Sequence, residues 1–233
     1  MSIMNTDSTK DSYGSQEVFY EKFYKSIIFG KGLGPWAVRK SHTKMEKTYA
    51  GGKFAKVLEL GAGNGQHLDF IKHDYDEYFV TDLKPPKLNA KWKSDSRISC
   101  DIVDAEAIPY AADSFDRIVV TCLLHHVADP EKVLEEIFRV LKNKGVATIF
   151  LSCDPGMLVR FMRLITTARA AARENFKGYG LMVARDHRNH IGSILQMVRY
   201  VFRSCKITTK FYPFHIRSWN FNGYVVIQIS KYT

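Results

Sequence analysis

The stretch VLELGAGNGQHL (Val57–Leu68) sets three glycines at alternate positions after an apolar run, with a glutamate two residues ahead of the first. Glycine admits backbone angles closed to other residues and lets a ligand approach the main chain. The usual ligand of a glycine-rich turn between a strand and a helix is a phosphate. Glu59 would repel one. The dinucleotide fingerprint GxGxxG is met at Gly61 and Gly63, but its third position is Gln66. The pattern is instead E-x-G-x-G-x-G, formed by Glu59, Gly61, Gly63 and Gly65.

A ligand that wants bare backbone beside a negative charge is cationic. S-adenosylmethionine fits, because it carries an ammonium and a sulfonium. Asp82 lies 17 residues beyond Gly65 at the end of a second apolar run. A carboxylate there can accept both ribose hydroxyls. Asp104 follows a third such run, where a carboxylate can receive an adenine amino group. Neither position carries a lysine or arginine suited to a 2′-phosphate. The plainer readings are a tight turn for the glycines, a lysine partner for Glu59, and caps or solvated charges for Asp82 and Asp104.

Further along, His125 and His126 follow a fourth apolar run. His126 is a candidate general base, and a loop brace is the plainer reading of the pair. Cys122-x-x-His125-His126 has a metal-like look but lacks a fourth ligand, so no metal is assigned. ARDHRNH (Ala184–His190) is the densest polar cluster in the chain. It offers Arg185 and His190 for substrate contact, and His187 as a base with Asp186 as its orienter. Its plainer reading is a solvated loop with Asn189 capping the next helix. PFHIRSWNFN (Pro213–Asn222) adds Arg217 and Trp219 as a substrate wall. Tyr20, Tyr24, Arg39 and His42 could close over the cofactor, Arg39 meeting its carboxylate, although packing or a solvated face explains them as well.

These residues need a frame. FAKVLEL, EYFVTDL, ISCDIVD, SFDRIVVTCLL and GVATIFLS are short runs rich in Val, Ile and Leu, with helical segments among them. That alternation predicts a parallel sheet covered on both faces, with ligands at the carboxyl ends of its strands. Helices are expected at Val18–Phe29, at Trp36–Tyr49, from Gln66 to Lys72 and over PEKVLEEIFRVLK. One long basic helix is expected over Met157–Asn175 and another over HIGSILQMVRYVFR. KITTKFY and NGYVVIQISK read as a late antiparallel pair at the sheet edge. Residues 1–16 read as a disordered tail. Residues 17–233 read as one domain, with N-terminal helices over 17–53, a cofactor-binding core over 54–151, and a basic acceptor-binding insertion with the final strands over 152–233.

Five ordered motifs, VLELGAGNG, VTDL, DAEAIPYAADSFDRIVV, LLHHVADPEKVLEEIFRVLK and GVATIFL, resemble the class I S-adenosylmethionine-dependent methyltransferases. Within that class they look most like the group that includes the quinone-biosynthesis enzymes. The region beyond residue 152 is similar, less specifically, to methyltransferases that accompany surface-polysaccharide synthesis. The resemblance implies a Rossmann-like α/β fold, with a seven-stranded, mostly parallel sheet whose last strand is antiparallel. It implies that Glu59, Gly61, Gly63 and Gly65 line the methionine part of the cofactor. Asp82 and Leu83 would hold the ribose and flank the adenine, and Asp104 and Ala105 would meet the adenine edge. Thr121 and Cys122 would approach the methionine end. One departure is visible, since Asn143-Lys144-Gly145 stands where a Pro-Gly-Gly turn is usual.

Composition bounds the partners. The chain has 233 residues, 45% hydrophobic and 25% charged, as ordinary globular proteins do. No apolar run is long enough to span a membrane. The four scattered cysteines argue against a disulfide framework and for a reducing, cytoplasmic setting. The net charge is +10, yet the first 151 residues balance at 21 basic and 21 acidic, while residues 152–233 hold 13 basic and three acidic. That asymmetry predicts an anionic small-molecule acceptor, such as a sugar, nucleotide-sugar or lipid-linked glycan, methylated at oxygen. The basic, apolar helix from Met157 offers peripheral contact with an anionic membrane as a further use. A nucleic-acid substrate is the rival reading, weakened by the absence of an NPPY-like tetrapeptide after the fourth strand. A non-catalytic cofactor-binding partner subunit is the other.

Overall fold

The computed structural model describes residues 33–173, 175–176 and 178–232. The expected tail over 1–16, the expected helix over 18–29, Tyr20 and Tyr24 lie outside them. The frame is a seven-stranded sheet in the order β3-β2-β1-β4-β5-β7-β6. Its strands are β1 (Lys53–Leu60), β2 (Asp74–Asp82), β3 (Ile98–Ile102), β4 (Phe115–Thr121), β5 (Leu141–Ser152), β6 (Lys206–Tyr212) and β7 (Tyr224–Ser230). β1 to β5 pair in parallel, and β7 runs antiparallel to both β5 and β6. This is the sheet expected from the sequence.

The central strands are apolar on both sides because both sheet faces are covered. The single-turn α2 (Ala90–Lys93) lies between β2 and β3, and on one face of the sheet α3 (Pro130–Val140) buries Val133, Leu134, Ile137 and Val140 in the larger core. Its start is fixed by Pro130 in the first turn and by Asp129, whose carboxylate accepts the Lys132 N–H at 3.1 Å. α7 (Ile191–Val201) packs beside it. On the other face, α1 (Leu33–Glu46) contributes Met45 to a second core with Val57, Tyr78, Val119 and Phe150. Strand switching between β1 and β4 leaves a crevice at their carboxyl ends, and the glycine turn sits there.

Two expected helices differ from those observed. After β1 there is only a 3-10 turn, Gln66–Phe70, before β2 begins. α1 packs against that turn and occupies the space a crossover helix would fill. The long basic helix is divided into α4 (Met157–Ile165) and α5 (Thr167–Arg173). The break is at Thr166, whose hydroxyl donates to the Met162 carbonyl at 2.6 Å, and such back-bonding bends helices. A further helix, α6 (Tyr179–Asp186), then leads to α7. At the turn before the main run of β5, Lys144 takes a left-handed φ of 64°.

Candidate functional site

Gly61, Gly63 and Gly65 have φ of 69°, 56° and 70°, a conformation that disfavours any side chain. The turn is also crowded. A Cβ on Gly65 would lie 2.3 Å from Leu88 Cδ2, and one on Gly61 would lie 3.1 Å from Leu123. The Gly63 N–H donates to Asp82 Oδ2 at 2.9 Å, and the Lys84 N–H to Asp82 Oδ1 at 3.2 Å. Asp82 thus ties the end of β2 to the glycine turn. Next to it Leu83 is 64% exposed, a flat apolar surface at the rim. Asp104 accepts the Glu106 N–H at 2.9 Å in a local turn, and Ala105 is buried in the core.

Glu59 is fully buried at the end of β1. It accepts the Tyr78 hydroxyl at 2.8 Å through Oε2, while Oε1 has no hydrogen-bond partner among the described residues. Burial raises its carboxyl above the usual carboxylate range. A buried carboxylate with an unmet oxygen is costly alone and fits a cationic group. That orphaned oxygen, the bare glycine backbone and the Asp82 carboxylate together suit a ligand that is cationic at one end and carries a diol. Thr121 ends β4, and Cys122 follows it with φ of 55°. Burial pushes the Cys122 thiol up to about 12, so it is no nucleophile at neutral pH.

Residues 58–149 match the family described as methyltransferase domain. Over that stretch, which runs from β1 to β5, the chain is similar to a methyltransferase domain. Among curated relatives, a rice chloroplast 2-methyl-6-phytyl-1,4-hydroquinone methyltransferase is 29% identical over 146 residues, covering 60% of this chain and 44% of the relative. The mouse mitochondrial arginine-hydroxylase NDUFAF5 is 34% identical over 96 residues, covering 40% and 27%. The chain therefore spans less than half the length of the curated relatives it matches. Among solved structures, the N-methyltransferase NodS from Bradyrhizobium japonicum aligns with a TM-score of 0.63 at 15% identity, over 94% of this chain and 98% of that one. That likeness speaks to the fold of the methyltransferase core.

Beside the core's crevice, the structure joins two parts of the sequence some 60 residues apart. His126, after β4, meets the carboxyl end of α6: its Nδ1 lies 2.9 Å from the Asp186 carbonyl and 3.3 Å from Asp186 Oδ1. His187 Nδ1 lies 2.9 Å from Asp154 Oδ2, just past β5, and Arg163 donates to the same oxygen at 2.8 Å. The His126 and His187 rings stand edge to face, 4.9 Å apart. The expected orienter Asp186 keeps a longer contact with His187, 4.0 Å from Oδ2 to Nε2, but lies nearer to His126, while Asp154 is the nearer carboxylate to His187. Burial alone would lower the His126 imidazole, but the bond to Asp186 and its charge outweigh that and raise it above the ordinary value. Burial likewise opposes ionisation of Asp154, and His187 and Arg163 outweigh it and hold the carboxyl well below its usual range.

His125 has the bracing role. It is buried, with Nδ1 2.7 Å from the Asn189 carbonyl and Nε2 3.2 Å from the Ser152 hydroxyl, and burial lowers it to about 4. Asn189 does not cap α7; its side-chain amide donates to the carbonyls of Leu124 and Val127. A cavity of about 250 Å³ opens here, lined by Asp154, Arg163, His187, Arg188 and His190 among others. Arg185 is exposed near the end of α6 and is not among the lining residues. Arg217 is exposed on the β6–β7 link, and Trp219 packs half-buried on the larger core; neither lines this cavity. The Cys122-x-x-His125-His126 spacing, to which the sequence assigns no metal, does not gather its ligand atoms among the described residues. Ligand atoms of His126, Asp186 and His187 lie within 4.8 Å of one another instead.

A buried polar network to which none of the sequence motifs points lies beneath the glycine turn. Glu46 of α1 pairs with Arg117 of β4 and with His67 Nε2 at 3.0 Å. His67 Nδ1 meets His42 Nδ1 at 2.8 Å, and His73 Nε2 lies 3.5 Å from Glu46. His42 is buried and stacks on Phe70, so it faces this network. Arg39 is exposed. In the sequence only Arg117 stands out, as a charge inside the apolar strand FDRIVVT; His42, Glu46 and His73 lie in polar stretches that give no such signal.

Proposed function

We propose that the chain transfers a methyl group from S-adenosylmethionine to a hydroxyl-bearing, anionic small acceptor, with His126 as general base. The His126–Asp186 pair, whose imidazole stands edge to face with His187 of the basic cavity, carries this reading. S-adenosylmethionine, when bound, supplies an electrophilic methyl and its own leaving group. Glu59 and the glycine turn would hold its methionine end, and Asp82 its ribose. Asp186 holds the His126 imidazole by Nδ1 and leaves Nε2 free to take a proton, as the carboxylate does in a catalytic triad. Arg188 and Arg163 favour an acceptor with negative charge. Holding nucleophile and methyl in line can supply about 7–11 kcal/mol of the barrier, and a positioned base about 10²–10⁴-fold more.

The rice relative's name supports a second reading, in which the acceptor is a hydroquinone. A hydroquinone also reacts through a deprotonated hydroxyl, so His126 has the same task whether carbon or oxygen is methylated. The test is a screen of phosphorylated sugars, lipid-linked glycans and prenylated hydroquinones that reads S-adenosylhomocysteine and then locates the new methyl by NMR. Turnover of at least one class by the wild type, lost in His126→Asn, is expected. Full activity in that variant would end the reading.

A further inference from the structure

The α4 helix is built inside out. None of its residues is fully buried, and Met157, Phe161 and Leu164, spaced four and three apart, are 63%, 58% and 67% exposed. An ordinary surface helix turns such a stripe inward. α4 packs against the 3-10 turn Trp219–Phe221, and a Cβ on Gly156 would lie 2.5 Å from the Trp219 carbonyl oxygen. The β6–β7 link that carries this turn exposes Phe214, Ile216 and Phe221. The two apolar segments therefore adjoin, at the end of the sheet where Ser152 of β5 pairs with Tyr224 of β7. Arg160 and Arg217 are exposed among them, and Arg163 of the same helix lines the acceptor cavity.

We propose that α4 and the β6–β7 link form a docking face for an anionic lipid bilayer. Exposed apolar side chains interleaved with arginines have the chemistry of an interfacial helix. Charge decides between occupants. α4 and the link hold Arg160, Arg163 and Arg217 and no acidic residue, so a second copy of this face would repel the first. A nucleic acid would satisfy the arginines but gain nothing from Met157, Leu164 or Ile216. Resting on the methyl-transfer reading, the inference extends to the acceptor: an amphiphile whose polar head enters the cavity while its tail stays in the membrane.

The test is co-sedimentation of the full chain with phosphatidylcholine vesicles, with and without phosphatidylglycerol. Binding that requires phosphatidylglycerol and weakens with salt is expected. Phe161→Glu with Leu164→Glu should lower the partition constant about tenfold or more. Arg160→Ala with Arg217→Ala should lower it less and flatten the salt dependence. Calorimetric uptake of S-adenosylmethionine should be equal in all variants, since these side chains lie outside the glycine turn. No binding to anionic vesicles, or binding that the Glu variants leave unchanged, would overturn the docking face. So would dissociation of a wild-type dimer by those variants, or tighter binding to RNA than to vesicles. Vesicle binding needs no acceptor, so its failure is distinct from failure of the methyl-transfer reading. Docking with no preference for lipid-tailed over water-soluble acceptors would remove only the extension.

Discussion

At the scale of single residues, the account turns on which histidine nitrogen is free. His126 gives its Nδ1 to Asp186, and the pair raises its affinity for a proton. A base must be neutral to act, so kcat should rise with pH through a value above about 6.5, the ordinary histidine value. Asp186→Asn removes the charge that raises it, and the acid limb of the kcat profile should move to lower pH. An unmoved limb would assign that ionisation to another group. His126→Asn should cost about 10²–10⁴-fold in kcat with little change in the dissociation constant of S-adenosylmethionine. Because the same residues bring ligand atoms within 4.8 Å, a chelator is a needed control. Turnover should survive EDTA, and loss restored by a divalent cation would replace the base with a metal. Gly65→Ala places a Cβ 2.3 Å from Leu88 at a φ of 70°. It should destabilise the fold by about 1–3 kcal/mol in chemical denaturation and weaken cofactor binding.

At the scale of elements, the sheet was legible because strands buried on both faces are written as short aliphatic runs. The glycine turn was legible because only glycine suits three left-handed positions in a row of five. What sequence could not give was which side chains meet across elements. Asp186 and His187 are neighbours in the chain, yet the nearest charged partner of each lies on another element, His126 and Asp154. The crossover after β1 was misread because Gln66–Phe70 has a helix-like composition, while α1 already fills that face. α1 is bound there by Glu46, and a prediction follows from its charges. Glu46 is depressed to about 2, chiefly by His67 and Arg117 against the cost of burial, so its contribution is full above about 4.5 and is lost as pH falls toward 2. Burial lowers His42 to about 3 and lowers His73, so both are neutral in the fold. The unfolded chain takes up their protons below about 6.5, and stability should fall from there downward. Glu46→Gln leaves Arg117 unpaired and buried, and should cost about 3–5 kcal/mol in urea unfolding. A flat stability between pH 7 and pH 4 would show that these groups are not buried as described.

At the scale of the molecule, charge and chemistry are divided along the chain. The first 151 residues of the chain balance in charge, and the excess of basic residues lies in the segments beyond them, which include Arg163 and Arg188 of the cavity wall. In the proposed function, Glu59 and Asp82 hold the cofactor end by specific contacts and a diffuse positive field holds the acceptor end. The KM for an anionic acceptor should rise with ionic strength while cofactor affinity changes little. Every step rests on the crevice beside β1 preferring a cationic nucleoside to a dinucleotide. Titration calorimetry of the purified chain tests this most directly. Saturable heat with S-adenosylmethionine, weakened by Glu59→Gln and absent with NAD, is the predicted result. No heat with S-adenosylmethionine, or equal heat with NAD, would contradict it.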